Sequence, residues 1–183
     1  VNMTREADLN PPLGKPGGPC YVVQRIDKRV QNPKLKNDLI DEVEDGQDLS
    51  NADASKVYGL DKEPGVGLLD DILITAHGQY RMDLRGITVE DVRAALGSFT
   101  KQMDDWKKLG SPAYQRMLDL MKSGQKIDWT GKNRLKVIFE VDGSTARLVT
   151  TYWKGGQDQP PPKDGCPLPK RAARVVARYL ASR

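Results

Sequence analysis

The sequence predicts an α+β fold, with N-terminal helices followed by a small twisted antiparallel sheet and packed helices. Three observations predict it. Residues 134–153 alternate apolar and polar about a central Asp142-Gly143, which is a β-hairpin pattern. Residues 71–75 form a short apolar run that ends at Thr75, a helix-capping residue. Between the two lie stretches with apolar residues at i, i+3/i+4 spacing, each opened by a capping signal.

Residues 1–19 read as a flexible leader, because Pro11, Pro12, Gly14, Pro16, Gly17, Gly18 and Pro19 crowd its second half. Residues 21–26, Tyr-Val-Val-Gln-Arg-Ile, read as a short strand. Asn32-Pro33 opens a helix over residues 34–44, with Leu35, Leu39, Ile40 and Val43 as its apolar stripe. A short helix is expected over residues 52–60, then a turn over residues 61–67 leading into the strand at 71.

Thr75 caps the next helix, which carries His77, Arg81 and Arg85 and ends at Gly86. Four-residue steps advance ~400° around a helix, so these three side chains share one face. Thr88 and Asp91 form a capping box for a further helix, with Val92, Leu96, Phe99, Met103 and Trp106 inward and Gly97 as a kink point. Gly110-Ser111-Pro112 stops it and starts another, with Tyr114, Met117, Leu118 and Met121 as its inner face. Residues 128–131 read as a loop. In the hairpin, a two-residue Asp142-Gly143 turn sets Val141 opposite Ser144, Phe139 opposite Ala146, Val137 opposite Leu148 and Leu135 opposite Thr150. That register puts Thr150 and Tyr152 on the apolar face, and Lys136, Arg147 and Thr151 on the other. A Pro/Gly-rich connector then leads to a final basic helix over residues 170–182.

The chain has 183 residues, 38% of them apolar, with mean hydropathy −0.61, as in a soluble, polar protein with a modest core. No window approaches the ~18 consecutive apolar residues that a membrane span needs, and residues 1–10 are too polar for a signal peptide. A start at Val1 rather than Met is the expectation for a processed product or a piece of a longer chain. The net charge is only +4, but it is unevenly spread: residues 38–70 are acid-rich and the tail after Pro162 is basic. Such asymmetry suits either a basic face for an anionic partner or internal pairing of the two segments. Cys20 and Cys166 are the only thiols; they either join the two ends in an exported protein or stay free. With one histidine and no cluster at ligand spacing, neither a metal nor another cofactor is expected.

Around His77 the residues read His-x-x-x-Arg-Met-x-x-Arg-Gly-Ile-Thr-x-x-x-Val-x-x-Ala-Leu, from His77 to Leu96, and the hairpin ends Val149-Thr150-Thr151-Tyr152. This pattern resembles the barnase–EndoU–colicin–RelE superfamily of metal-independent ribonucleases, many of them C-terminal toxin domains of contact-dependent growth inhibition proteins and other polymorphic toxins. The resemblance covers about a quarter of the chain. It implies a RelE/colicin-like architecture, with residues 20–68 as an N-terminal helical segment and 69–183 as a catalytic α+β domain. It implies a secreted or delivered bacterial toxin that acts in the target-cell cytoplasm on RNA, tRNA being one candidate, and that is countered by a cognate immunity protein.

Metal-free RNA cleavage needs a group to deprotonate the 2′-hydroxyl, cations to hold the charged phosphorus, and a donor for the leaving 5′-oxygen. Imidazole suits the proton steps and guanidinium the phosphate. The resemblance implies His77, Arg81, Arg85, Thr150 and Tyr152 as the catalytic set. Tyr80, Lys136, Arg147 and Lys154 are the expected substrate contacts, and Tyr80, Tyr152 or a lysine would be the second proton carrier. The alternative is a non-catalytic nucleic-acid- or protein-binding module on the same fold, and Arg85 near its helix's C-terminus also suits a purely structural part.

Overall fold

The computed structural model describes residues 17–156 and 160–166, so most of the expected leader and all of the expected basic final helix lie outside the described residues. In order, the described elements are α1 (Pro19–Arg29), α2 (Pro33–Glu44), α3 (Asn51–Val57), β1 (Asp61–Val66), β2 (Leu69–Ile74), α4 (Ala76–Arg85), α5 (Val89–Leu109), α6 (Pro112–Lys122), β3 (Ile127–Thr130), β4 (Leu135–Asp142) and β5 (Thr145–Trp153). The fold is α+β. Its sheet is five-stranded in the order β1-β2-β5-β4-β3. It is mixed rather than antiparallel: β2 leaves through α4 and α5, and the chain returns as β5 beside it, running the same way.

Capping residues set the helix ends. Asn32, Ser50 and Thr75 each accept a hydrogen bond from a backbone N–H in the first turn they precede. Thr88 and Asp91 cap each other's backbone at the head of α5, which passes through Gly97 unbroken to Leu109. Gly86 and Gly110 close α4 and α5 in the left-handed conformation, φ 71° and 65°, where glycine carries no steric penalty.

Three segments depart from their sequence pattern. Residues 21–26 are helical, not a strand. Pro19 sits in the first turn, and Val22, Val23, Ile26 and Val30 then line one buried face, so packing overrides the β-branched run. Residues 61–66 form the edge strand β1 rather than a turn, and β1 pairs only with β2, leaving Pro64 without a second ladder to break. Residues 127–130 are the opposite edge strand β3, not a loop, with Ile127 buried against the core. The β1–β2 hairpin is tight. A Cβ added to Gly65 would fall 1.8 Å from the Leu69 carbonyl oxygen, so Gly65→Ala is expected to destabilise the fold by about 2 kcal/mol or more. Thermal unfolding checks this, with a Tm drop of roughly 5 °C expected and an unchanged Tm against it.

The hairpin register also differs, and this matters for the site. The two-residue loop is Gly143-Ser144, closed by Asp142 opposite Thr145. Gly143 has φ 63° and Ser144 has no positive φ, which fits a turn with glycine at its first central position. Val141 therefore meets Ala146 and Phe139 meets Leu148, two residues further along β5 than expected. A bulge follows: Ile138 pairs with Thr150 and Val137 with Thr151, leaving Val149 as the extra residue. The bulge flips the alternation, so Thr151 is fully buried on the core face while Thr150 and Tyr152 turn to the other face.

Two apolar clusters result. The larger fills the space between the sheet and helices α5 and α6, with Phe99 edge-on to Phe139 at 5.1 Å and to Trp129 at 5.4 Å. The smaller gathers α1, α2 and α3 against α4. Helix α4 serves both: Met82 belongs to the first cluster, and Tyr80 and Leu84 to the second. Residues two apart lie ~200° apart on a helix, which is what lets one helix seal two cores. A disulfide between Cys20 and Cys166, 146 positions apart, closes the smaller cluster.

Candidate functional site

Helix α4 starts where β2 stops. Ile74 lies opposite Leu148 in the parallel ladder, so His77, in the first turn of α4, comes beside Leu148 and Val149 of β5. An open cleft of about 450 Å³ lies there. His77, Lys126, Glu140 and Arg147 line it, with Asn51 and Ser55 of α3 at its side. Glu140 and Arg147 are direct cross-strand partners on the face turned away from the larger cluster, and their side chains pair at 3.2 Å. Lys126 and Arg147 are exposed, whereas His77 and Glu140 are half-buried.

The electrostatics of His77 follow from its neighbours. Partial burial lowers its pKa below the ordinary histidine value, Arg81 and Arg85 push the same way, and Asp48 opposes them. The balance favours the neutral imidazole. Its ring stands 5.7 Å from that of Tyr80.

The other residues expected in the site sit elsewhere. Arg81 forms an ion pair with Asp48, which also accepts a 2.6 Å hydrogen bond from the Tyr80 hydroxyl. Tyr80 is buried in the smaller cluster, and burial and Asp48 raise its pKa, so it is a core anchor rather than a substrate contact. Arg85 braces α4 against the part of β5 that outruns β2. Its guanidinium donates to the Thr151 carbonyl at 2.8 Å and lies 6.0 Å from the Tyr152 ring centre, and its own carbonyl accepts from the Trp153 indole at 3.1 Å. Lys136 pairs with Asp128 across β3 and β4 at 3.2 Å. Lys154 is exposed beyond the end of β5. Thr150 and Tyr152 are half-buried past the bulge.

Of the expected residues, then, the cleft brings together His77 and Arg147; Arg81, Arg85, Thr150 and Tyr152 are not among the residues that wall it. Two of its charged members, Glu140 and Lys126, were not expected. Glu140 is legible only once the Asp142–Thr145 closing pair is known, since it is then the residue opposite Arg147. Lys126 lies between α6 and β3 and carries no sequence signal. Among the described residues, no group of His, Cys, Asp and Glu side chains comes together to hold a metal ion, and no helix is long and apolar enough to cross a membrane.

No family model, curated protein or solved structure matches the chain. The site therefore has to be read from its own chemistry.

Proposed function

We propose that this chain is a metal-independent endoribonuclease whose active site is the cleft around His77. One observation carries the reading. A neutral imidazole, two cations and a carboxylate that steadies one of those cations all face a single opening. In the reaction, His77 takes the proton of a ribose 2′-hydroxyl, and the 2′-oxygen attacks the adjacent phosphorus. Arg147, held by Glu140, and Lys126 bear the charge that builds on the phosphoryl oxygens. The bond from phosphorus to the 5′-oxygen breaks, and the Lys126 ammonium supplies the proton to that oxygen. The products are a 2′,3′-cyclic phosphate and a free 5′-hydroxyl. Burial first, and then Arg81 one turn along, favour the unprotonated imidazole.

A delivered bacterial toxin with a cognate immunity protein remains the biological setting that the sequence resemblance implies. The Cys20–Cys166 disulfide supports passage through an oxidising compartment.

The test is incubation of the purified chain with total RNA, with and without EDTA, the products being read for cyclic phosphate and 5′-hydroxyl ends. Cleavage in EDTA with those ends is expected. Salt-sensitive RNA binding without product would instead make this a binding module. The pH profile adds a second reading. A general base with a lowered pKa puts the acid limb of kcat/KM below pH 6.5, the ordinary histidine value, and the rate falls as pH drops through it. Arg81→Gln removes a lowering charge and should move that limb upward. A wild-type limb at or above 6.5 would rule out neutral His77 as the base.

A further inference from the structure

A second cavity, of about 340 Å³, opens between α1 and α4, away from the His77 cleft. Asp83, on its wall, lies six residues beyond His77 on α4, ~600° on and so ~240° around the helix. Its polar wall is a built cluster. Arg25 donates to the Tyr21 hydroxyl at 2.9 Å and stands 3.8 Å from the Asp83 carboxylate, which accepts the Tyr58 hydroxyl at 2.6 Å. The Arg29 guanidinium lies over the Tyr58 ring at 5.2 Å, and among the described residues no carboxylate comes within ion-pair distance of it.

These contacts divide the charge unequally. The Arg25 cation is largely offset by Asp83. Arg29, one turn along α1, makes no ion pair among the described residues; it shares the field of Asp83 with Arg25, lies over the Tyr58 ring and faces the cavity. The cavity also has apolar lining, from Ile74, Met82, Ile87 and Val89. Asp61 also borders the space, so an anion is favoured where it sits closer to Arg29 than to Asp61. Burial raises the pKa of both Asp83 and Tyr58, as in a partly dehydrated pocket. The volume falls at the lower end of the ~300–1,000 Å³ range of small-molecule sites.

We infer that this cavity binds a small organic oxyanion, a carboxylate or phosphomonoester, whose charged head pairs with Arg29 and whose apolar or planar body lies against Ile74, Met82 and Ile87. The site is separate from the proposed cleavage cleft and stands or falls independently of it.

The experiment is calorimetric titration of the full chain with adenosine 5′-monophosphate, benzoate and inorganic phosphate, on wild type, Arg29→Ala, Arg29→Lys and His77→Ala. Expected is saturable binding of at least one organic anion, weakened about tenfold by Arg29→Ala, partly kept by Arg29→Lys and unchanged by His77→Ala. If the nucleotide alone binds, the head is a phosphomonoester; if benzoate alone binds, it is a carboxylate. Arg29 is exposed and contributes no apolar surface to either cluster, so its variants should fold. The inference is overturned if neither organic anion saturates in the millimolar range, if Arg29→Ala binds as tightly as wild type, or if inorganic phosphate binds as tightly as the organic anions.

Discussion

His77→Ala should reduce RNA cleavage by about 10²–10⁴-fold while leaving the Tm within about 2 °C of wild type. Both halves follow from the position of the residue. His77 lies in the first turn of α4 with its ring half-exposed toward the cleft, and its ring contact is with Tyr80, which Asp48 and Leu49 already hold in place. Alanine is a better helix former than histidine, so losing the ring costs the fold little. Losing the imidazole of the cleft costs the proposed reaction its first proton transfer. A comparison of two arginines sharpens the result. Arg147→Ala removes a phosphate cation and leaves the Glu140 carboxylate unpaired at the cleft, so cleavage should fall at least tenfold with a small change in stability. Arg85→Ala removes the guanidinium that donates to the Thr151 carbonyl, so it should lower stability by about 1–2 kcal/mol and the rate much less. The reverse pattern would move the site to the far half of β5, beside Thr150 and Tyr152. A His77→Ala protein that cleaves as well as wild type would end the ribonuclease reading.

What the sequence made legible follows a physical rule. Features decided by a few adjacent residues could be read directly: the Thr75 and Thr88 caps, the Gly86 and Gly110 stops, and the shared face of His77, Arg81 and Arg85. Features decided by distant partners could not. Tyr-Val-Val at residues 21–23 is an intrinsic strand former, and only Leu39, Ile40, Tyr80 and Leu84, far along the chain, make a helix the better way to bury it. Asp61–Val66 carries Pro64, Gly65 and Gly67 at its end, and reads as a turn until β2 offers it an edge. The hairpin lies between these cases. Its two strands were plain, but the bulge at Val149 has no signature, and one extra residue exchanged the faces of Thr150 and Thr151. That single residue explains why Thr150 and Tyr152 do not face the way the alternation predicts. The place of His77 on its helix was fixed by local capping, whereas the faces of the β5 residues depended on a register that the alternation leaves open.

Removing the Cys20–Cys166 bridge, by reduction or by the Cys20→Ser/Cys166→Ser pair, should cost about 2–5 kcal/mol and lower the Tm by roughly 5–15 °C. The bond closes a loop spanning 146 positions, so it restrains the unfolded chain strongly. The folded side adds to this. Cys166 is 1% exposed within the smaller cluster, and its backbone N–H donates to the Glu44 carboxylate at 2.8 Å, which fastens the 160–166 segment over α2. Helix α1 has 11 residues, too few to persist alone, and it is held by packing of Val22, Val23 and Ile26 and by this tether. The loss should therefore be uneven. Hydrogen exchange on the reduced protein should rise first in α1, while amides of β4 and β5, buried under Phe99 and Leu96, stay protected. Because Arg25 and Arg29 ride on α1, oxyanion binding in the second cavity should weaken with it, whereas His77 beside β5 should keep most of its activity. Equal unfolding midpoints for oxidised and reduced protein would show that the smaller cluster holds without the bridge. A uniform rise in exchange across both clusters would show that α4 welds them into one cooperative unit.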